Sequence, residues 1–294
     1  MAVPCAMEIV SSLQQHAWPI AIDLLRLCAW LALLLLVFVP LERLFAVHPK
    51  KVFRKKFFDD LIYYFLNGLV PKLLLIPPVA VVAWMVHRLV PAELQDTVGD
   101  LPIAVRLAAA MVVGEIGFYW GHRWSHQIPF LWRFHAIHHA AEEMDWLVST
   151  RAHPLDMVFT RICGFVPMYA LGLAQTSLQN PDAVLIVVIL AGSVWGFFVH
   201  ANLRWRFGPL EWLVATPMFH HWHHTYNEPL NRNFAPVLPW VDRIFGTYHM
   251  PRSEWPARYG TDTPLAPGVF GQLIEPLGPL PAKTIVDAGR AAEG

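Results

Sequence analysis

Five long apolar segments constrain the fold of this chain more than any other feature. They cover residues 19–39, 61–86, 101–121, 155–174 and 182–200. A helix needs about 20 apolar residues to cross the hydrocarbon core of a bilayer, and each segment is close to that length or exceeds it. We therefore predict an all-α integral membrane protein, built as a helical bundle with about five spanning segments.

The composition agrees with a membrane protein. Hydrophobic residues make up 55% of the 294 residues, charged residues 15%, and the mean hydropathy is +0.40. Lys plus Arg and Asp plus Glu are equal at 22 each, so the net charge gives no reason to expect a nucleic acid partner. We treat residues 1–294 as a single membrane domain. Its Pro-rich end, residues 275–294, is expected to be a poorly ordered tail.

The cysteines and the N-terminal residues argue against a cysteine-based site and against a cleaved secretory signal. The three cysteines show no CxxC spacing, which indicates neither a disulfide framework nor a thiolate zinc site. The N-terminus lacks the basic region and the cleavage site of a secretory signal. The first apolar segment is therefore expected to remain in the mature protein.

Prolines modify two of the segments. Pro71, Pro77 and Pro78 lie within the second segment and are expected to kink or split its helix. The fourth and fifth segments follow each other so closely that they are expected to form a tight hairpin through residues 179–181.

A basic loop between the first two segments predicts the orientation in the membrane. Lys and Arg near helix ends favour the cytoplasmic side. Counting spans from this loop places residues 121–154 and everything after His200 on the cytoplasmic side, in a multi-pass protein of the bacterial inner membrane or the endoplasmic reticulum. The basic residues of the loop are Lys50, Lys51, Arg54, Lys55 and Lys56.

Histidines are concentrated in two short stretches, residues 121–154 and residues 219–227. Their spacings of three and four residues place side chains on one face of a helix. Several short helices can thus bring eight imidazoles close together. Eight ligands are too many for one metal ion but enough for two. The eight are His122, His126, His135, His138, His139, His220, His223 and His224.

The number of imidazoles narrows the choice of metal. Imidazole binds iron, copper, zinc and nickel alike, so the ligand type alone does not select one. Catalytic zinc usually has three protein ligands, and an HExxH motif is absent. The paired Glu-x-x-His motifs of soluble di-iron bundles are absent as well. Eight or more neutral histidines at a membrane face favour a di-iron centre that activates oxygen.

The motifs together resemble a known superfamily. HRWSH, LWRFHAIHH, RAHPLD, VHANL, FHHWHH and LPWVDRIFGTYH follow one another within residues 115–249. This order is similar to the fatty acid hydroxylase and sterol desaturase superfamily of integral-membrane non-haem di-iron enzymes. The resemblance implies a helical membrane bundle with a cytosolic histidine-rich helical cap, and a catalytic core over about residues 101–250.

The resemblance also implies the ligand set. It assigns the eight histidines above as catalytic metal ligands and adds His153, in RAHPLD, and His200, at the end of the fifth segment. His221 occupies a variable position of the last motif and is not expected to be a ligand. Some members carry a histidine where this chain has Arg204, which makes the sterol desaturase branch a better match than the fatty-acid 2-hydroxylase branch.

Acidic residues are candidates for orienting the ligands. Glu115 lies two helical turns before His122 on the same face, and we predict that it hydrogen-bonds a ligating imidazole, with a helix–helix hydrogen bond as the alternative. Other polar residues either orient ligands or form a salt bridge or a helix cap. They are Asp145, Arg151, Asp156, Asn227 and Asp242.

The predicted activity is that of an oxidoreductase. Two iron ions and O2 would hydroxylate or desaturate a C–H bond of a membrane lipid, sterol-like or other, and zinc is expected only as an adventitious substitute. No GxGxxG or haem-attachment motif is visible, so electrons are expected from a separate ferredoxin or cytochrome b5-type donor with its reductase. A zinc-dependent membrane hydrolase and a non-enzymatic metal or haem carrier remain as alternatives.

Overall fold

A computed structural model describes residues 6–49, 51–174, 183–251 and 254–279, with side chains from residue 19 onward. These residues form α-helices and short 3₁₀ helices, and the sole β-type pairing among them is an isolated bridge between Thr225 and Tyr259. The predicted all-α class is confirmed. In chain order the α-helices are α1 (Ala6–Phe45), α2 (Phe57–Leu74), α3 (Ile76–Leu89), α4 (Ala92–Gly99), α5 (Ile103–Gln127), α6 (Pro129–His139), α7 (Pro154–Ala170), α8 (Ala183–His200), α9 (Pro217–His223), α10 (Trp240–Ile244) and α11 (Gly268–Ile274).

Four stretches of helix are long and apolar enough to cross a membrane, one fewer than predicted. They are Pro19–Phe45, Phe57–Leu89, Ile103–Gln127 and Ala183–His200 within the described part of the chain. The predicted segment 155–174 corresponds to α7, which has 17 residues. At about 1.5 Å per residue such a helix is about 26 Å long, which is less than the roughly 30 Å of a hydrocarbon core.

The second spanning stretch is split, as its prolines predict. It consists of α2 and α3, which meet at Leu75. Pro77 and Pro78 follow that residue and have no N–H group to continue the hydrogen-bond ladder of α2. Leu75 keeps helical dihedral angles, so the chain bends there and does not reverse. The hairpin expected at residues 179–181 lies outside the described residues.

Helices α5 and α7 pack closely because glycines line their contact. A Cβ atom at Gly117 would lie 2.2 Å from the carbonyl oxygen of Cys163, and a Cβ at Gly121 would lie 2.8 Å from the Cβ of Cys163. Small residues let helix backbones approach in this way. The two helices run antiparallel, and the Ser125 hydroxyl near the end of α5 donates to Asp156 near the start of α7. The first turn of α7 therefore lies beside the last turns of α5.

A buried network of charges fastens the histidine-bearing end of the bundle. The guanidinium of Arg54 donates to both carboxylate oxygens of Asp145 and, at 2.6 Å, to Asp60 in α2. Arg151 forms a second ion pair with Asp60 at 2.6 Å. Arg54, predicted as part of a basic surface loop, is therefore a buried structural residue that joins this loop to α2 and to the segment after α6.

The beginning of the predicted tail is folded. Residues Glu275–Leu277 form a 3₁₀ helix. The Arg133 guanidinium of α6 donates to the carbonyl oxygens of Glu275 and Gly278, each at 2.9 Å. Residues 280–294 of the tail lie outside the described part of the chain.

Candidate metal centre

The structure brings nine of the ten proposed histidine ligands together in two groups. Within each group, one ring nitrogen from every member lies within 4.8 Å of those of the others. All nine side chains except that of His126 are buried. The five-histidine group contains His122, His126, His135, His139 and His223, and the four-histidine group contains His138, His200, His220 and His224.

Helix α6 contributes to both groups because of its spacing. His135 and His139 are four residues apart and therefore about 40° apart around the helix. They both belong to the five-histidine group. His138 lies about 60° from His135 on the other side and belongs to the four-histidine group. One short helix thus contributes histidines to both groups.

Helix α9 and the residue that follows it also contribute histidines to both groups, but here the four-histidine group receives two and the five-histidine group one. His220 and His224, four residues apart, belong to the four-histidine group, while His223 belongs to the five-histidine group. The same three-and-four spacing therefore supplies two imidazoles to one group and one to the other, with the roles exchanged between α6 and α9. His200, the last residue of α8, completes the four-histidine group.

Backbone carbonyls fix the tautomers in the four-histidine group. The Nδ1 of His138 lies 2.9 Å from the carbonyl oxygen of Arg151, and the Nδ1 of His200 lies 2.6 Å from that of Gly196. A carbonyl oxygen only accepts, so both Nδ1 atoms carry hydrogen and both Nε2 atoms carry a lone pair. These two Nε2 atoms are 3.2 Å apart. Facing lone pairs at this distance repel unless a cation lies between them, so the donor set fits a bound metal ion.

One short segment, residues 231–234, orients three imidazoles of the five-histidine group. Oxygen atoms of this segment contact the Nδ1 atoms of the three rings, so the Nε2 atoms point into the group. Within the group, the Nε2 atoms of His122 and His135 are 3.1 Å apart. The three contacts are His122 Nδ1 to the Phe234 carbonyl at 2.7 Å, His223 Nδ1 to the Arg232 carbonyl at 2.8 Å, and His126 Nδ1 to the Asn231 side-chain oxygen at 3.2 Å.

Two asparagines give this segment its shape, and no sequence pattern indicated their role. Asn231 and Asn233 adopt left-handed backbone angles, φ 57° and 60°, which asparagine tolerates better than most residues. The Asn233 amide also donates to the carbonyl oxygens of Phe219 and His249. The available signal was the pair of asparagines in LNRNF shortly after the last histidine motif.

Asp242 holds the same segment without touching an imidazole. Its carboxylate accepts from the backbone N–H groups of Phe234 and Ala235, each at 2.8 Å, and from the Thr247 hydroxyl at 2.6 Å. Burial raises the pKa of the Asp242 carboxyl, while these three donors lower it. The orienting role predicted for Asp242 is thus indirect, through the Phe234 carbonyl that accepts from His122.

Asp156 is the carboxylate that contacts a grouped imidazole directly. Its Oδ2 lies 2.9 Å from the Nδ1 of His135, and its Oδ1 accepts from Ser125 at 3.2 Å. A carboxylate behind an imidazole fixes the tautomer and raises the basicity of the ligand.

Replacing Asp156 with alanine should therefore weaken metal binding in the five-histidine group by about 10-fold to 100-fold. Metal titration followed by the absorption bands of Co(II) measures this change. Asp59→Ala, which removes a half-buried carboxylate that pairs with Lys56 at the start of α2, serves as the control and should leave the affinity unchanged. Equal affinities for the two variants would contradict the role of Asp156.

Glu115 and Asp145 do not contact imidazoles, which corrects the prediction for Glu115 and favours the alternative given for Asp145, a salt bridge or a helix cap. The Glu115 carboxylate accepts from the backbone N–H groups of Val237 and Leu238, at 2.7 and 2.6 Å, because that loop lies beside α5 with free donors. Asp145 pairs with Arg54 and accepts from backbone N–H groups of the 3₁₀ helix Trp146–Thr150. Both residues fasten backbone segments.

His153 lies outside both groups, so we remove it from the proposed ligand set. Its Nδ1 accepts from the backbone N–H of Leu155 at 3.1 Å, which caps α7, and its Nε2 lies 3.1 Å from the Leu273 carbonyl oxygen. Both ring nitrogens are therefore engaged. His221 also lies outside the groups, with its Nδ1 2.9 Å from the Tyr259 hydroxyl. Asn227 exchanges hydrogen bonds with Thr225.

Burial favours the neutral form of five grouped histidines outside the spanning helices, and the neutral form is the one that binds metals. Burial, together with neighbouring imidazoles, lowers the pKa of His138 to about 4. The same two causes hold the pKa of His139, His220, His223 and His224 well below the usual value. A ring nitrogen of each is therefore available as a ligand at neutral pH.

The fold and the two groups define a class of membrane protein with a histidine-rich metal centre, and comparison with known sequences gives the family. The fatty acid hydroxylase family matches residues 107–247, which carry all nine grouped histidines. The resemblance to the fatty acid hydroxylase superfamily is therefore confirmed over these residues.

Relatives with assigned functions are lipid-modifying enzymes. The chain is 33% identical over 187 residues to an ornithine lipid hydroxylase of Rhizobium tropici, an alignment of 63% of this chain and 54% of that protein. It is 30% identical over 152 residues to an alkylglycerol monooxygenase of Xenopus tropicalis, covering 51% of this chain and 32% of the relative. A very-long-chain aldehyde decarbonylase of Oryza sativa is 28% identical over 151 residues, covering 48% and 23%.

These relatives support a membrane lipid oxygenase, and the chain spans only about half the length of the first and about a third of the second. The expected sterol-like substrate and the preference for the sterol desaturase branch receive no support from them. No solved structure matches the chain.

Proposed function

We propose that this protein is a membrane-bound di-iron monooxygenase that uses O2 and external electrons to hydroxylate a C–H bond of a membrane lipid. The observation that carries the proposal is the set of Nε2 lone pairs that face one another within each histidine group. Two iron ions held there would supply the activation of oxygen. The nine histidines without His153 are the proposed ligands.

The carboxylates around the site argue against the hydrolase alternative. Zinc hydrolysis commonly uses a free carboxylate or histidine as general base next to the bound water. Asp156 is engaged by His135 and Ser125, and Asp242 and Glu115 are engaged by backbone N–H groups. All three carboxylates already have protein partners, which argues against a free general base among them.

The spacing of the imidazoles argues against a haem carrier. A porphyrin needs two axial histidines on opposite sides of a flat cavity. The rings of His200 and His220 have centroids 4.2 Å apart, and those of His139 and His224 have centroids 4.4 Å apart. This packing leaves no slot for a macrocycle between them.

Aromatic rings cover the five-histidine group and limit the access of water. Phe234 packs edge-on against His122 and His126, with centroids 5.8 and 5.1 Å apart. Trp132 packs against His126 and His139 at 5.2 and 5.5 Å. In the sequence, Trp132 lies between His126 and His135. Exclusion of water protects a reactive oxidant from side reactions.

The substrate we propose is a membrane lipid with a polar head group, and the reaction is hydroxylation. The names of the relatives, ornithine lipid hydroxylase and alkylglycerol monooxygenase, support both choices. We further propose that the site faces the cytoplasm, because the basic loop joins the histidine-bearing end through Arg54. A ferredoxin or cytochrome b5-type donor with its reductase would then deliver the electrons on that side.

Mass spectrometry of lipids tests this proposal. Cells that express the protein should contain a lipid heavier by one oxygen atom, and the added atom should be ¹⁸O when the gas is ¹⁸O₂. Metal analysis after anaerobic purification should find iron at two ions per chain. A product lighter by two hydrogen atoms would show that the reaction is desaturation and not hydroxylation. Full conversion in the absence of O2 would overturn the oxygenase proposal.

A further inference from the structure

Short elements outside the spanning helices expose large apolar side chains at the histidine-bearing end. The 3₁₀ helix Gly208–Trp212 and the helices α10 and α11 carry them. Phe270 is 77% exposed, Ile244 66% and Leu213 59%. The six residues that we call the apolar belt are Leu210, Trp212, Leu213, Ile244, Phe270 and Ile274.

Helix α11 separates its apolar residues into an outer and an inner face. Phe270 and Ile274 are exposed and four residues apart, so both lie on the outer face. Val269 and Gln272 face inward and are buried. A helix of a water-facing surface would carry polar side chains at the outer positions. The outer face of α11 therefore needs an apolar environment.

Three hydrogen-bonded anchors fix these elements beside the spanning helices. The Tyr63 hydroxyl of α2 donates to Gln272 of α11 at 2.9 Å. Tyr63 is six residues inside the stretch Phe57–Leu89, which corresponds to about 9 Å along the helix. Helix α11 is thus attached to the side of this spanning stretch, near its second turn.

The other two anchors likewise join loop segments to residues within spanning helices. The Trp195 indole N–H donates to the Ala215 carbonyl at 2.9 Å, and Trp195 lies five residues, or about 8 Å, before the end of α8. Glu115 accepts from Val237 and Leu238, and it lies twelve residues, or about 18 Å, before the end of α5.

Neighbouring surfaces continue the contrast between apolar and charged regions. On α2, Phe58 and Ile62 are exposed next to the anchor at Tyr63. Loops at this end carry exposed charges, as in the ion pair between Lys55 and Glu142 and the contact of Asp262 with Tyr226. The exposed apolar residues Phe58 and Ile62 lie near α11, which the Tyr63 hydrogen bond holds against α2.

We propose that the apolar belt seats the histidine-bearing end within the apolar layer of the bilayer, with lipid acyl chains as its partner. Exposed apolar side chains on short helices attached to spanning helices suit the membrane interface, where amphipathic helices lie with their apolar face among acyl chains. Trp212 stacks on the Arg243 guanidinium at 3.6 Å, a pair that suits the boundary between acyl chains and head groups. This inference is independent of the reaction that the site performs.

Spin labels placed on the belt test the proposal. Phe270→Cys and Leu213→Cys, made in full-length protein whose Cys5, Cys28 and Cys163 are replaced, are labelled with a nitroxide and placed in phosphatidylcholine nanodiscs. Collisions with O2, which concentrates among acyl chains, are compared with collisions with a water-soluble Ni(II) chelate. The ratio of O2 to Ni(II) collisions should be shifted upward at both positions relative to Asp262→Cys and should approach that of Leu36→Cys on α1.

Two results would overturn the proposal. A ratio at positions 270 and 213 equal to that at position 262 would place the belt in water. Low collision rates with both reagents would mean that protein covers the belt, either a second copy of the chain or residues 280–294. Thermal unfolding of each labelled protein distinguishes a displaced belt from a misfolded one.

Discussion

Replacing His138 with alanine should remove one metal ion per chain and leave the other in place. His138 belongs to the four-histidine group, and none of the five-histidine ligands changes in this variant. His223→Ala should have the complementary effect on the five-histidine group. Loss of a ligand should lower lipid oxidation by more than about 100-fold, the upper range for residues that only support a ligand. Metal analysis and product formation are measured on the same preparation.

His87→Ala is the matched control for both variants, because His87 is an exposed histidine at the end of α3. It should keep two metal ions and full activity. Retained activity in either His138→Ala or His223→Ala would refute a shared site. Loss of both metals in each single variant would show that the two groups do not bind separately.

Arg54→Met should destabilise the protein by about 3–5 kcal/mol, which is the cost of removing one partner from a buried ion pair. The Arg54 side chain is 2% exposed and holds Asp145 and Asp60 at 2.5 and 2.6 Å. Its removal leaves Asp145 buried without its cation. Chemical unfolding in detergent, followed by tryptophan fluorescence, measures the change.

The adjacent residue provides a control of the same size and charge class. Lys55 pairs with Glu142 at 3.6 Å, and both side chains are mostly exposed. Lys55→Met should therefore cost no more than about 1 kcal/mol. Arg54→Met should also weaken metal binding in the four-histidine group, because Arg151, whose carbonyl accepts from His138, shares Asp60 with Arg54. Equal stability of the two variants would contradict the structural role of Arg54.

Local spacing explains how much of the site was predictable. The three-and-four spacing of His135, His138 and His139 is a property of one helix, so it can be interpreted without knowing the fold. The division of the nine histidines between two groups depends on how α5, α6, α8 and α9 are oriented relative to one another. That orientation has no signature in the sequence of any one helix.

The contacts that the sequence did not predict involve backbone groups of segments distant in the chain. Helical periodicity correctly puts Glu115 on the face of His122, but the partners of its carboxylate are N–H groups of a loop more than a hundred residues later. The acceptors behind His122, His138 and His200 are backbone carbonyls, which every residue possesses. Asp156, behind His135, and Asn231, behind His126, are the side chains that orient ligands among the contacts described above.

The fourth apolar segment gives a shorter helix than predicted. Hydropathy placed the beginning of α7 within one residue, at Pro154 next to the histidine groups, but the helix ends at Ala170 and not at residue 174. The first turn of α7 carries Asp156 and is capped by His153, so it belongs to the site. The apolar composition of residues 155–174 did not reveal that the helix packs against α5 along glycines.

The division of α6 and α9 between the two groups has a mechanical consequence. Each helix is a rigid body of two or three turns that holds ligands for both metal positions. A shift of α6 along its axis would displace His138 together with His135 and His139, so neither group can relax alone. The spacing between the two groups is therefore set in part by single helical turns of α6 and α9, while His122 and His126 on α5 and His200 on α8 tie the groups to the membrane helices.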